Sequence, residues 1–182
     1  MTLPLMPSHH RHPAPKGQPQ ALGRSDRLPL NLCDLDDFEE GLLPILRHFF
    51  RTLAEPERQT WQFAYSIAAE RWGEALGLPI SQALFKLVQC TAKARGIEFE
   101  AIDPLALHER DLVSQDERAL LQMLHHMRRD ETSRARAAVA TVTGGTMDAE
   151  VIRAGLSFAA RFPVGGLRPK VGAGRPKLQV VR

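Results

Sequence analysis

The chain is poor in the features that staple or anchor a protein. Among its 182 residues only two are cysteine, Cys33 and Cys90, too far apart for a Cys-x-x-Cys pair. No disulfide framework or zinc knuckle is expected, and cytoplasmic residence is the compartment this cysteine usage suggests. Nowhere does a run of about 18 apolar residues occur, so no membrane span is expected. Pro4 and Pro7 stand where a secretory signal would carry its apolar core, and no basic residue precedes them. Aromatics are scarce at 6%, and runs alternating β-branched with polar residues are few, which disfavours sandwiches and barrels.

Catalytic signatures are equally sparse. There is no phosphate-binding G-x-x-x-x-G-K-[ST], no G-x-G-x-x-G after a strand and no G-x-S-x-G elbow. His108-Glu109 is followed by Leu112 where a zincin would need histidine. Di-iron bundles use Glu-x-x-His, but Ile45, Leu105, Gln122 and Met123 stand three before His48, His108, His125 and His126. His125 and His126 are adjacent, so on a helix they point about 100° apart and do not grip one ion. His9, His10 and His12 sit in a proline-rich segment, where a floppy cluster has little metal selectivity. No cofactor, no metal and no enzymatic activity are expected. Cys90 reads as a buried, unreactive thiol on a helical edge.

What the sequence does contain is helical periodicity. Hydrophobic residues make up 43% and charged residues 25%, ordinary for a globular chain. Six segments follow i, i+3, i+4 spacing. The first begins near Asp34, with Asp34, Asp36 and Asp37 suited to a helix N-terminus, and Pro44 is expected to break it. A second opens at Pro56 and carries Trp61, Ala64, Tyr65, Ala68 and Trp72 on one face until Gly77. A third runs from Pro79 to Arg95, with Gly96 as its cap. Residues 97–102 alternate like a strand without a partner and read as a connector. Ser114 and Glu117 form a capping box for the fourth helix. The fifth covers residues 131–142, and Thr146 is expected to cap the sixth after Gly144-Gly145. The expected architecture is all-α: a single irregular bundle of about six helices over residues 31–162.

Charge is partitioned. Residues 31–162 hold fifteen basic and twenty acidic side chains, so the expected domain is acidic although the whole chain is +3. Residues 1–30 and 163–182 are basic, rich in proline and glycine, and read as disordered tails. Arginine outnumbers lysine 19 to 5, a bias typical of GC-rich bacterial genomes.

Three functional readings follow. The first is a noncatalytic interaction or regulatory protein binding an unidentified protein partner. Its candidate faces are the acidic cluster Asp34, Asp36, Asp37, Glu39 and Glu40, and the basic cluster Arg128, Arg129, Arg134 and Arg136. Plain helix capping and local pairing with Asp130 and Glu131 explain the same residues without a partner. The second is nucleic-acid association through the C-terminal tail by Arg168, Lys170, Arg175, Lys177 and Arg182. There Arg-Pro-Lys occurs twice, at 168–170 and 175–177, and Gly174-Arg175-Pro176 resembles the core of AT-hook peptides. That resemblance covers about a dozen residues and implies minor-groove binding. Ala173 stands where the hook has its first arginine, and Leu167 where the first unit would have glycine. A helix-turn-helix reading of the last two helices is opposed by Asp148 and Glu150 at the start of the recognition helix. The third reading is a small-molecule sensor with a pocket lined by Trp61, Tyr65 and Trp72.

Overall fold

A computed structural model describes residues 27–95 and 99–165. Among the described residues there are six α-helices: α1 Asp37–Ala54, α2 Trp61–Trp72, α3 Glu74–Arg95, α4 Gln115–Arg128, α5 Thr132–Val142 and α6 Ala149–Arg161. The chain is an all-α bundle, and no described helix is long and apolar enough to cross a membrane. A two-residue antiparallel pair accompanies the helices, with Leu28 opposite Val113 and Pro29 opposite Leu112. Residues 27–30 therefore belong to the packed structure, which begins earlier than the proline content of residues 1–30 suggests.

The core is one apolar cluster fed by all six helices. Leu42, Ile45, Leu46 and Phe49 of α1 pack at its centre with Leu84, Leu87 and Val88 of α3, Leu120 and Leu124 of α4, and Phe158 of α6. Burying each such side chain contributes roughly 1.5–3 kcal/mol. Phe38 joins the ends of several helices, with ring centroids 5.4 Å from Trp72, 6.2 Å from Phe158 and 6.5 Å from Phe162.

Four local expectations are corrected. Pro44 lies inside α1 and does not end it. Proline removes one backbone hydrogen bond, but Leu42, Leu43, Ile45 and Leu46 around it are all buried, and their packing keeps the helix continuous. Pro56 opens only a 3-10 turn, and α2 starts at Trp61 after Gln59 adopts φ +50°. The break between α2 and α3 falls at Gly73 (φ +76°), so Gly77 and Pro79 lie within α3. Pro79 sits in the second turn of that helix. Gly77 is where the two helices touch, since a Cβ there would lie 2.3 Å from the Ala68 carbonyl oxygen. Finally, Asp148 and not Thr146 caps α6, accepting hydrogen bonds from the Glu150 and Val151 amides at 2.8 and 3.0 Å.

The capping box at Ser114 and Glu117 is present as expected, and Glu117 does more than cap. It is buried and receives Arg47 of α1 in a two-pronged pair at 2.8 and 3.0 Å. The Ile102 amide donates to the same carboxylate at 3.0 Å. Part of the strand-like stretch is thus held as an irregular connector by side chains of α4. Gly96 and residues 97–98 lie outside the described residues.

Candidate functional site

The two charged clusters that looked like separate docking faces meet each other. Asp36 caps α1, accepting from the Phe38 and Glu39 amides at 3.0 and 3.1 Å, and Glu39 returns to the Asp36 amide at 3.2 Å. That capping box aims the Glu39 carboxylate inward to the end of α4, where it is 0% exposed. Arg128, 2% exposed at its side chain, donates to Glu39 Oε1, and its Nε donates to the Phe162 carbonyl at 2.7 Å. Its guanidinium also lies 4.1 Å from the Phe38 ring centroid. Arg129 bridges the same acids, at 3.2 Å to Glu39 and 2.8 Å to Asp36.

Glu39 and Arg128 are therefore not available to a partner. They are a buried, hydrogen-bonded pair tying the start of α1 to the end of α4, and Arg128 links on to the end of α6. Burial pulls the Arg128 guanidinium below its ordinary value, against the attraction of Asp36. His125 stands at the edge of this network, its Nδ1 3.6 Å from Glu39. Its pKa is lowered, first by burial and then by the Arg129 and His126 charges, which outweigh Asp36 and Glu131. His126 Nδ1 is 2.8 Å from Glu131, which holds that carboxyl below its usual range.

The remaining candidates of the two clusters are dispersed. Asp34 is exposed in a left-handed backbone conformation (φ +51°). Asp37 is exposed and Glu40 half-buried in the first turn of α1, where negative charge complements the helix dipole. Arg134 pairs with Glu131 at 3.4 Å. Arg136 borders an apolar recess of about 190 Å³ with Val139, Met147 and Ile152. Arg168, Lys170, Arg175, Lys177 and Arg182 lie outside the described residues.

A more informative surface is helix α2, where Ala64, Ala68, Tyr65 and Trp72 face the core as expected but Trp61 does not. Ala64 and Ala68 are fully buried, whereas Trp61 is 43% and Phe63 56% exposed. Helices α2 and α3 approach closely at Ala68 and Gly77. Helices that near each other admit only small side chains at their contact, and Ala68 and Gly77 are those residues. Trp61 and Tyr65 then border an open recess of about 420 Å³ with Phe49, Thr52 and Phe85. Tyr65 meets Phe49 edge-on at 5.7 Å and Trp61 edge-on at 6.2 Å. Phe63 lies over His48 of α1 at 5.5 Å. Trp72 is remote from this recess, packed on Phe38, so the three residues expected to share a pocket do not. Helical periodicity alone marks Trp61 as inward. Its exposure is visible only in three dimensions.

Among the described residues no group of three or more His, Cys, Asp or Glu side chains is arranged to hold a metal ion. Cys33 and Cys90 are both buried free thiols. No family model, curated protein or solved structure matches the chain.

Proposed function

We propose that this is a noncatalytic interaction protein that docks a partner protein on the aromatic face of α2. The observation carrying this reading is the exposure of two large aromatics of that helix, Trp61 and Phe63, while Tyr65 and Trp72 pack against the core. Trp61 stands exposed at the rim of an aromatic recess with Phe49, Tyr65 and Phe85, and Phe63 is exposed on another side of the same helix. Tryptophan and tyrosine supply much of the binding energy at protein interfaces because they bury large rigid area with few torsions to freeze. The noncatalytic half of the reading rests on the motifs missing from the sequence.

The test is affinity capture from native lysate with the full chain and with Trp61→Ala/Phe63→Ala, each with and without nuclease. The expected result is a discrete protein recovered by the wild type after nuclease and lost by the variant at unchanged melting temperature. Equal recovery by both chains would remove α2 as the docking face. Recovery abolished by nuclease would transfer the function to nucleic acid and the basic tail.

A further inference from the structure

A second surface, separate from the α2 face, is marked by charge. Between α3 and α6 runs a groove of about 320 Å³ whose floor is formed by Ala83, Ala154 and Phe158 and whose rim carries Lys86, Arg153 and Arg161. All three cations are exposed, and none has a carboxylate partner among the described residues. Arg161 has only a neighbouring ring, its guanidinium 5.6 Å from the Phe162 centroid. Elsewhere most arginines, among them Arg47, Arg51, Arg95, Arg128, Arg129 and Arg134, face an acid, and the other arginines without one, Arg71, Arg118 and Arg136, do not share a groove. The one acid among the described residues lining the groove, Glu150, is engaged by Lys93 at 3.2 Å. Three unneutralised cations thus gather on one groove of a folded region that is acidic overall.

We propose that the α3–α6 groove binds an acidic polypeptide segment. Arg153 and Arg161 are eight residues apart on α6, about 12 Å along the helix axis, with Lys86 opposite on α3. That row is longer than a single small anion and suits carboxylates spaced along a peptide. The alanine and phenylalanine floor accepts an apolar side chain lying between them. Nucleic acid is the poorer occupant. An apolar floor offers nothing to a phosphate backbone.

The experiment uses the full chain and a fluorescein-labelled peptide rich in glutamate and carrying leucine, read by anisotropy at low and high salt. A single-stranded oligonucleotide of matching charge is titrated in parallel. Saturable peptide binding that weakens with salt is expected, with a loss of about tenfold or more in Lys86→Gln/Arg153→Gln/Arg161→Gln, the size of a few screened ion pairs. A variant with Arg168, Lys170, Arg175, Lys177 and Arg182 all changed to Gln separates the tail from the groove and is expected to retain binding. A second readout needs no substitution in the groove. Carbodiimide condenses a peptide carboxylate with a lysine amine, with loss of water, and mass spectrometry should place that amide at Lys86. No saturable peptide binding, loss only in the tail variant, cross-links confined to lysines other than Lys86, or tighter oligonucleotide binding through the same three cations would each overturn the assignment.

Discussion

Replacing Glu39 by Gln tests whether the charge network is the structural tie described above. The amide keeps the shape of the carboxylate but not its four acceptor positions. Its oxygen can serve either Arg128 and Arg129 or the Asp36 amide, and its NH2 then faces a donor on the other side. In the second orientation Arg128 would keep only the Phe162 carbonyl and the more distant Asp36 carboxylate at 3.6 Å, with little access to water. Breaking a buried pair in this way costs about 3–5 kcal/mol, a large share of the roughly 5–15 kcal/mol that holds a domain folded. At roughly 2–4 °C per kcal/mol for a chain this size, the melting temperature should fall by roughly 6–20 °C. Glu39→Leu/Arg128→Met removes both charges and keeps apolar packing against Phe38. Its main remaining costs are the unpaired Phe162 carbonyl and the lost back-bond of the capping box, about 1–3 kcal/mol together. Arg129 is less affected because it retains Asp36 and the His125 carbonyl. Urea denaturation of both single variants (Glu39→Leu and Arg128→Met) and of the double should therefore show compensation of at least about 2 kcal/mol. Additive losses, or a Glu39→Gln cost below about 1 kcal/mol, would refute the account.

Other consequences are equally direct. Gly77→Ala should destabilise more than Gly155→Ala, because the first Cβ meets the backbone of α2 at 2.3 Å and the second meets the flexible Met127 Sδ at 2.7 Å; paired denaturation curves decide the order. Burial lowers the pKa of His48 as it does that of His125, with Asp103 opposing weakly at His48. The unfolded chain then takes up these protons first, so stability present above about pH 6.5 is lost as pH falls toward the folded values. His48→Gln/His125→Gln should flatten the stability profile between pH 7 and 5, and an unchanged slope would exclude these two groups as its source. Trp61→Ala/Phe63→Ala should leave the unfolding free energy within about 1 kcal/mol of wild type, since both rings are half exposed; a larger loss would identify them as core.

Much of the architecture was legible because it rests on short-range chemistry. Apolar residues at helical spacing marked six helices, and the Ser114-Glu117 box marked the start of α4 to the residue. Both signals arise within a turn or two of one helix. The same periodicity misassigned Trp61 to the interior, because the spacing that defines a face does not say which part of it is crowded out. Pro44 and Gly77 read as breaks for a similar reason: their local preferences are overridden by buried neighbours in one case and by a helix contact in the other.

The candidate sites show the division more sharply. Composition and order along the chain determined that the helical region is acidic, that its interior is built from leucine and alanine, and that the familiar catalytic and metal-binding motifs are missing. Only the tertiary structure decided which charges are free. Glu39 and Arg128 stand 89 positions apart in sequence yet neutralise each other inside the fold, whereas Lys86, Arg153 and Arg161 line the α3–α6 groove without a carboxylate partner among the described residues. Pairing between side chains so distant in sequence depends on how helices pack, and packing depends on every contact at once, so no local pattern records it.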